Sequence, residues 1–299
     1  MDDSLFPFTA TRPIADIRVG ILTIREKEQH GSRGVLHWVP LLTRPWHIFR
    51  LNAEALVDDF TLLTSGRLSQ PIPSSVQAIA PENIFIEEGA VLQHCILNAS
   101  AGPIYIGANA EIMEGSLIRG PFALCEGATV KLGTKIYGAT TIGPYSIVGG
   151  EIKNSVIFGY SNKGHDGYLG DSVIGEWCNL GAGTSNSNLK NNAAEVKAWD
   201  QGSGQFIAAG GKCGLLMGDY SRSAINTSFN TGTVVGVCCN VFGEGLTPKY
   251  IPSFSWGYEN NPGYQLERAL RDIDSWKRFK GQTLTDAEIK KLKYIYEKL

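Results

Sequence analysis

The chain has 299 residues, with 27 Lys and Arg against 29 Asp and Glu for a net charge of −2; 43% is hydrophobic and 19% charged. That balance excludes an intrinsically disordered chain and gives no broad basic footprint for nucleic acid. The 35 glycines exceed the usual ~7% while the 13 prolines are ordinary, which excludes collagen and leaves the glycine excess for the fold to explain. Cys95, Cys125, Cys178, Cys213, Cys238 and Cys239 show no C-x-x-C spacing. A chain long enough to bury a core needs no disulfides, so free thiols in a reducing compartment are expected. Met1-Asp2-Asp3-Ser4-Leu5-Phe6 lacks a basic n-region and an apolar h-region, and no run of ~18 apolar residues occurs. The expectation is a cytoplasmic chain with no membrane partner.

The first 27 residues contain Arg12, Asp16, Arg18 and Arg25 but no G-x-G-T-R phosphate loop, and about 16 residues separate Lys27 from Arg44. Nucleotidyl transfer needs phosphate-cradling amides and Mg²⁺ to neutralise developing charge. The stretch from Phe8 to Lys27 resembles the opening of a divergent sugar nucleotidyltransferase domain, which would need far more chain before its linker. Residues 1–43 are therefore expected to be a remnant of such a domain, packed on the next helix and inactive alone. Residues 44–65 read as that helix, with Pro45 in the first turn and Phe49, Leu56 and Phe60 near one face. Gln70-Pro71-Ile72-Pro73 breaks the chain, so the linker spans 44–70.

A period of six follows. Ile106, Ile112, Ile118, Leu124, Val130, Ile136, Ile142 and Val148 are spaced by six residues, with Gly, Asn, Pro or Ser between them. In an α-helix, six residues rotate the chain ~600°, which would spiral these positions around the surface. The spacing instead suits a β-helix in which each hexad sends one aliphatic residue inward and turns a corner, with Gly and Asn where φ is positive. Three hexads close a coil of about eighteen residues, and stacked coils pair at ~4.8 Å. The period resumes at Ile174 and Leu180, and again at Met217, Ser223, Phe229, Val235 and Val241. The solenoid is expected over 71–247, interrupted by polar protruding loops at 159–167 and 184–204. Hexapeptide repeats of this kind resemble the left-handed β-helix acyltransferases. The resemblance implies a mainly β fold, a left-handed parallel β-helix with short α-helical flanks, and an exception to right-handed crossovers.

Three polar motifs occupy the interrupted coils: Glu151-Ile152-Lys153-Asn154-Ser155, Gly164-His165-Asp166-Gly167-Tyr168-Leu169-Gly170-Asp171, and Asn179-Leu180-Gly181-Ala182-Gly183-Thr184. In order and spacing they resemble the acetyltransferase site of the bifunctional N-acetylglucosamine-1-phosphate uridyltransferase/glucosamine-1-phosphate acetyltransferase family. Acyl transfer to an amine needs a base, and an imidazole is suited to that work near neutral pH. The resemblance makes His165 the base, Glu151 its orienter, and the backbone N–H of Ala182 a donor to the thioester oxyanion. The plain alternatives are a solvated loop histidine, an exposed corner carboxylate and a tight solenoid corner.

Lys135 and Lys153 lie eighteen residues apart, so an eighteen-residue coil would stack their ammonium groups around an anion such as a sugar phosphate. Two independent surface lysines are the alternative. Tyr168, Asn179 and Asn188 would line the sugar pocket. The sequence departs from the family at Lys135, where an arginine is usual, at Asp166-Gly167 and at Leu189. The resemblance implies acetyl-CoA as acyl donor along 217–242, the amine of a phosphorylated or nucleotide-linked amino sugar as acceptor, a homotrimer, and no metal for acyl transfer.

After the solenoid, residues 248–252 are expected to lead away from the last coil. Helices are expected over 264–279 and 286–298, the second with a Thr285–Glu288 capping box and an Ile289, Leu292, Ile295 stripe packed on a solenoid end or a second subunit. Three other functions remain as alternatives. A zinc-type hydratase would need about three converging histidines, whereas of His30, His37, His47, His94 and His165 only the last two fall in the solenoid. A binding scaffold has no reason to interrupt its coils with polar motifs. A sugar-nucleotide pyrophosphorylase with an allosteric solenoid would need a partner chain to supply its catalytic domain.

Overall fold

The computed structural model describes residues 3–31, 39–259 and 262–299. His37 lies outside the described residues. The hexads wind into a parallel β-solenoid with three faces. The first face runs from Gln77–Ile79 to Tyr168–Gly170 in six strands, the second from Ile84–Ile86 to Tyr250–Ile251 in nine, and the third from Val91–Leu92 to Asn240–Val241 in eight. This mainly β architecture with short helices is consistent with the expected left-handed β-helix.

Each face contributes a column of inward aliphatic side chains. Ile118, Ile136, Ile152 and Leu169 stack on the first face, Leu124, Ile142, Ile157 and Ile174 on the second, and Leu92, Ile112, Val130 and Val148 on the third. All are at most 4% exposed, and full burial of such a side chain stabilises by about 1.5–3 kcal/mol. At the corners between the second and third faces, Tyr145, Tyr160 and Trp177 take left-handed backbone angles of 56°, 62° and 58°. That conformation is unfavourable for large residues, but the rings stack coil upon coil, with centroids 5.2 and 4.4 Å apart.

The coil length is not constant. Ile118 pairs with Ile136 eighteen residues on, but Ile136 pairs with Ile152 only sixteen on. The difference is at one corner: four residues, 131–134, join the third face to the first in one coil, and only Gly149 and Gly150 do so in the next. A Cβ on Gly149 would lie 2.9 Å from the Gly164 carbonyl oxygen, and one on Gly150 would lie 2.8 Å from that of Gly167. Only glycine permits this notch under the following corner.

Both expected interruptions are smaller or differently placed. Within 159–167, Asn162–Lys163 is a regular strand paired to Ile147–Val148, and only 164–167 forms the corner. Beyond 184, Ser185–Asn186 still pairs with Ser228–Phe229. The insertion begins at Asn188, and its neck is closed by the Cys213 N–H donating to the Asn188 carbonyl at 3.0 Å. It carries an antiparallel hairpin, Lys197–Asp200 with Gln205–Ala208. Val196, Ala198, Ala209 and Cys213 are buried in one cluster with Trp46, Ile48 and Phe49 at the start of the linker helix and with Val173, Leu216 and Val234 of the second face, so the base of the insertion packs on helix and solenoid instead of protruding.

The solenoid also continues past 247. Tyr250–Ile251 pairs with Val234–Val235, and Asn240 bridges to Trp256. Pro248 and Pro252 flank a strand at the sheet end, where missing N–H donors are tolerated.

The flanks cover two faces. Helix α1 (Ile24–Gln29) and helix α2 (His47–Thr64) pack with the N-terminal segment on the second face, as expected of a segment resting on the linker helix. Helix α2 starts after cap residue Trp46, so Pro45 precedes the helix. Helices α3 (Leu266–Arg278) and α4 (Asp286–Tyr296) lie against the upper coils, and the Thr285–Glu288 capping box is formed. Leu292 and Ile295 are buried with Trp177, Tyr220 and Phe254, so the stripe packs on the solenoid. The first face keeps outward side chains in solvent, with Ile79 50% and Leu117 46% exposed. All six cysteines are free and buried. Among the described residues no helix is long and apolar enough to cross a membrane.

Candidate functional site

Alternation along each strand decides which side chains reach solvent. With Ile136, Ile152 and Leu169 inward, Lys135 and Tyr137, Glu151 and Lys153, and Tyr168 project outward from three consecutive strands of the first face. The shortened coil sets their register. Lys135 pairs with Glu151, not with Lys153, and Lys153 pairs with Tyr137. The expected stack of two ammonium groups is replaced by alternation: a cation beside a carboxylate, and the Lys153 ammonium 5.8 Å from the Tyr137 ring centroid.

The Tyr137 hydroxyl donates to Glu151 Oε1 at 2.6 Å. That hydrogen bond, with burial and the carboxylate charge adding to it, pushes the Tyr137 phenol up to about 12. One strand on, Glu151 faces Tyr168. Burial first, then the charges of Asp171 and Glu151, raises the Tyr168 phenol as well. Asn188, at the neck of the insertion, donates from Nδ2 to the Tyr168 hydroxyl at 3.1 Å and to Asp171. Sequence reasoning missed Tyr137 and Asp171. Tyr137 follows from alternation about Ile136 once the coil length is known; Asp171 needs the position of the insertion neck.

His165 sits in the corner directly above the Gly149–Gly150 notch. Its ring is exposed and has no hydrogen-bond partner among the described residues. Its backbone is held: Lys163 Nζ donates to the His165 carbonyl, Gly183 N to the Asp166 carbonyl at 3.0 Å, and Glu151 N to the Gly167 carbonyl at 3.2 Å. Glu151 is thus tied to the His165 corner through its backbone, while its carboxylate accepts from Tyr137 and not from the imidazole. Ala182 lies in the next corner up, its carbonyl accepting from Asn226 N at 2.7 Å. The Ala182 N–H has no partner among the described residues, but neither have the turn amides of Leu132 and Ile225, so the free donor belongs to the corner type. Asn179 is on the third face, between Asn162 and Arg222 and facing α3, so it does not join Tyr168. His94 occupies the same corner column four coils below His165, on the order of 19 Å away at the stacking distance. Among the described residues no three His, Cys, Asp or Glu side chains gather as a metal site.

Lys163 occupies the inward column of the third face, next to Val148, and is 3% exposed. Its stem fills the core and its ammonium reaches the corner. Burial, opposed by Asp166, lowers it to about 8. An unfolded chain holds this proton to ~10.4, so the folded state bears a cost that is full below pH 8 and relieved as pH rises towards 10. Lys163→Met is expected to stabilise the protein by roughly 2–3 kcal/mol at pH 7 and by much less at pH 10. Urea unfolding of both proteins at the two pH values measures the difference, and a gain that does not shrink with pH contradicts it.

A family model described as sugar nucleotidyl transferase matches residues 2–39. The "Bifunctional protein GlmU" of Methanocaldococcus jannaschii is 28% identical over 238 residues, covering 80% of this chain and 52% of that protein. The "Bifunctional sugar-1-phosphate nucleotidylyltransferase/acetyltransferase" of Sulfurisphaera tokodaii is 31% identical over 153 residues, covering 47% of this chain and 35% of that one. The chain is a homologue of these GlmU-like bifunctional enzymes. It spans about half, or less, of the length of these curated relatives. Among solved structures, the UDP-N-acetylglucosamine acyltransferase of Francisella novicida matches with a TM-score of 0.34 and 16% identity over 76% of each chain.

Proposed function

We propose that the first face and its corner form a CoA-dependent N-acyltransferase site acting on the amine of a phosphorylated or nucleotide-linked amino sugar, with acetyl-CoA as donor. The observation that carries the reading is the convergence of Lys135, Glu151, Lys153 and Tyr168 on consecutive strands beneath the His165 corner. The amine nitrogen attacks the thioester carbonyl, His165 takes the amine proton, the C–S bond breaks, and the thiol leaves with a proton. Glu151, steadied by Tyr137, orients the imidazole as it turns over the notch, and the Ala182 N–H holds the oxyanion. Lys135 and Lys153 bind the acceptor's phosphate, and Tyr168 and Asn188 bind its hydroxyls. The chain acts as a cytoplasmic homotrimer whose exposed first faces meet neighbouring solenoids. Residues 1–43 are a domain remnant that does not transfer nucleotides, with 44–70 as linker, 71–247 as the catalytic part of the solenoid, and 248–299 as an extension that adds the last solenoid strand before its two helices.

Acyl-CoAs incubated with a panel of amino-sugar phosphates should release free thiol with at least one acceptor, and light scattering on the same preparation should give three chains per particle. No thiol release across the panel contradicts the enzymatic reading and favours a binding scaffold. A monomer at micromolar concentration contradicts the assembly.

A further inference from the structure

Arg222 stands apart from the site above. It projects from the third face between Asn179 and Asn240, under helix α3, and is 6% exposed. Its Nε and Nη2 are buried without a hydrogen-bond partner among the described residues. These two donors share one edge of the guanidinium, the edge that meets a two-oxygen acceptor side-on. Its described contact is the Trp276 ring, 5.3 Å away. Arg12, which is also largely buried, contrasts with it, being paired with both Asp219 and Glu176. A guanidinium removed from water without hydrogen bonds is costly, and burial lowers the proton affinity of Arg222 below the usual arginine range.

Arg222 also lines a cavity of about 380 Å³ between the third face and α3. Asn179 and Asn240 line it from the strands on either side, with Phe242, Tyr264 and Trp276 as aromatic walls. One carboxylate lines it too: Asp272, which accepts from the Tyr264 hydroxyl and lies 4.0 Å from Arg268. The volume exceeds what a single water needs.

We propose that this cavity is an oxyanion-binding site, taking the phosphate or carboxylate group of a small molecule two-pronged on the Nε/Nη2 edge of Arg222. The Asn179 and Asn240 amides supply further donors, and the rings pack against the body of the ligand. The cavity lies on the third face, across the His165 corner from the outward side chains of the first face.

The test is unfolding of the full chain in a buffer whose only anion is chloride, with inorganic phosphate added in one arm and acetate in the other. Wild type should be stabilised saturably in at least one arm, the folded-to-unfolded ratio rising about tenfold at ten times Kd, with a tryptophan emission change at the same midpoint. A response to phosphate alone supports a phosphorylated ligand, and to acetate alone a carboxylate. Arg222→Met should lose the saturable response while remaining at least as stable as wild type without anion, because a buried unpaired charge is gone. Arg222→Lys keeps the charge but loses the edge, and should bind at least about tenfold more weakly; Asp272→Asn removes a facing negative charge and should bind more tightly. These two decide the matter if Arg222→Met does not fold. Equal stabilisation of wild type and the Arg222 variants, or no saturable stabilisation of wild type in either arm, overturns the proposal in favour of a water-filled cavity.

Discussion

Replacing His165 with alanine is expected to lower kcat for acyl transfer by about 10²–10⁴, the usual contribution of a general base. The unfolding free energy should change by no more than ~0.5 kcal/mol. The two halves of this expectation rest on different observations. The imidazole is exposed and unpartnered among the described residues, so its removal strands no buried group. The corner that carries it is fixed by bonds to its backbone carbonyls from the Lys163 ammonium and from the Gly183 and Glu151 N–H groups, none of which uses the ring. Loss of activity would therefore report chemistry and not collapse of the loop. Binding of acetyl-CoA should be nearly unchanged, since the loss falls on the transition state. An active preparation in which His165→Ala keeps wild-type kcat removes His165 from the mechanism.

The columns of the solenoid core were legible because each hexad from Ile106 to Val148 places one aliphatic residue where it must point inward. What sequence spacing could not supply was the length of each coil. A six-residue count treats every corner as equal, and the two-glycine corner at Gly149–Gly150 removes two residues. That deletion moves Glu151 opposite Lys135 and Lys153 opposite Tyr137, which changes the electrostatics of the site from repulsion to alternation. Lys163 hid a strand for a related reason: a lysine in an aliphatic column breaks the hydrophobic pattern although its stem fills the same space. The last coil was hidden by Pro248 and Pro252, which read as breakers but are harmless at a sheet end. The candidate site was legible as a set of motifs, yet its division between the first face, the corner and the third face depends on register. The buried partners of the N-terminal segment were not legible at all, because Lys27 and Asp59 are thirty-two residues apart and are paired only by the packing of α2.

That pair sets the remaining large expectation. Lys27 and Asp59 side chains are 0% and 1% exposed and form an ion pair. Asp59 Oδ2 also accepts from the N–H groups of Ile21 at 2.7 Å and Leu22 at 3.1 Å. Gly20, at φ +81°, brings this turn against α2 so closely that a Cβ would fall 2.4 Å from Asp59 Oδ2. Next to it, Asn52 accepts from Gly20 N at 2.7 Å and donates to the Ala139 carbonyl at 3.0 Å, joining segment, helix and solenoid. Asp59→Ala leaves the Lys27 ammonium without this carboxylate and two amides without their acceptor. Breaking a buried pair from one side typically costs about 3–5 kcal/mol, a large part of the 5–15 kcal/mol by which domains are commonly stable. Lys27→Met combined with Asp59→Asn removes both charges and should recover much of the loss, since the amide oxygen still accepts. Urea unfolding of wild type and the two variants distinguishes an integral segment from a loosely draped one: a loss below ~1 kcal/mol for Asp59→Ala would mean that the segment matching the nucleotidyltransferase family does not help to hold the helix on the solenoid.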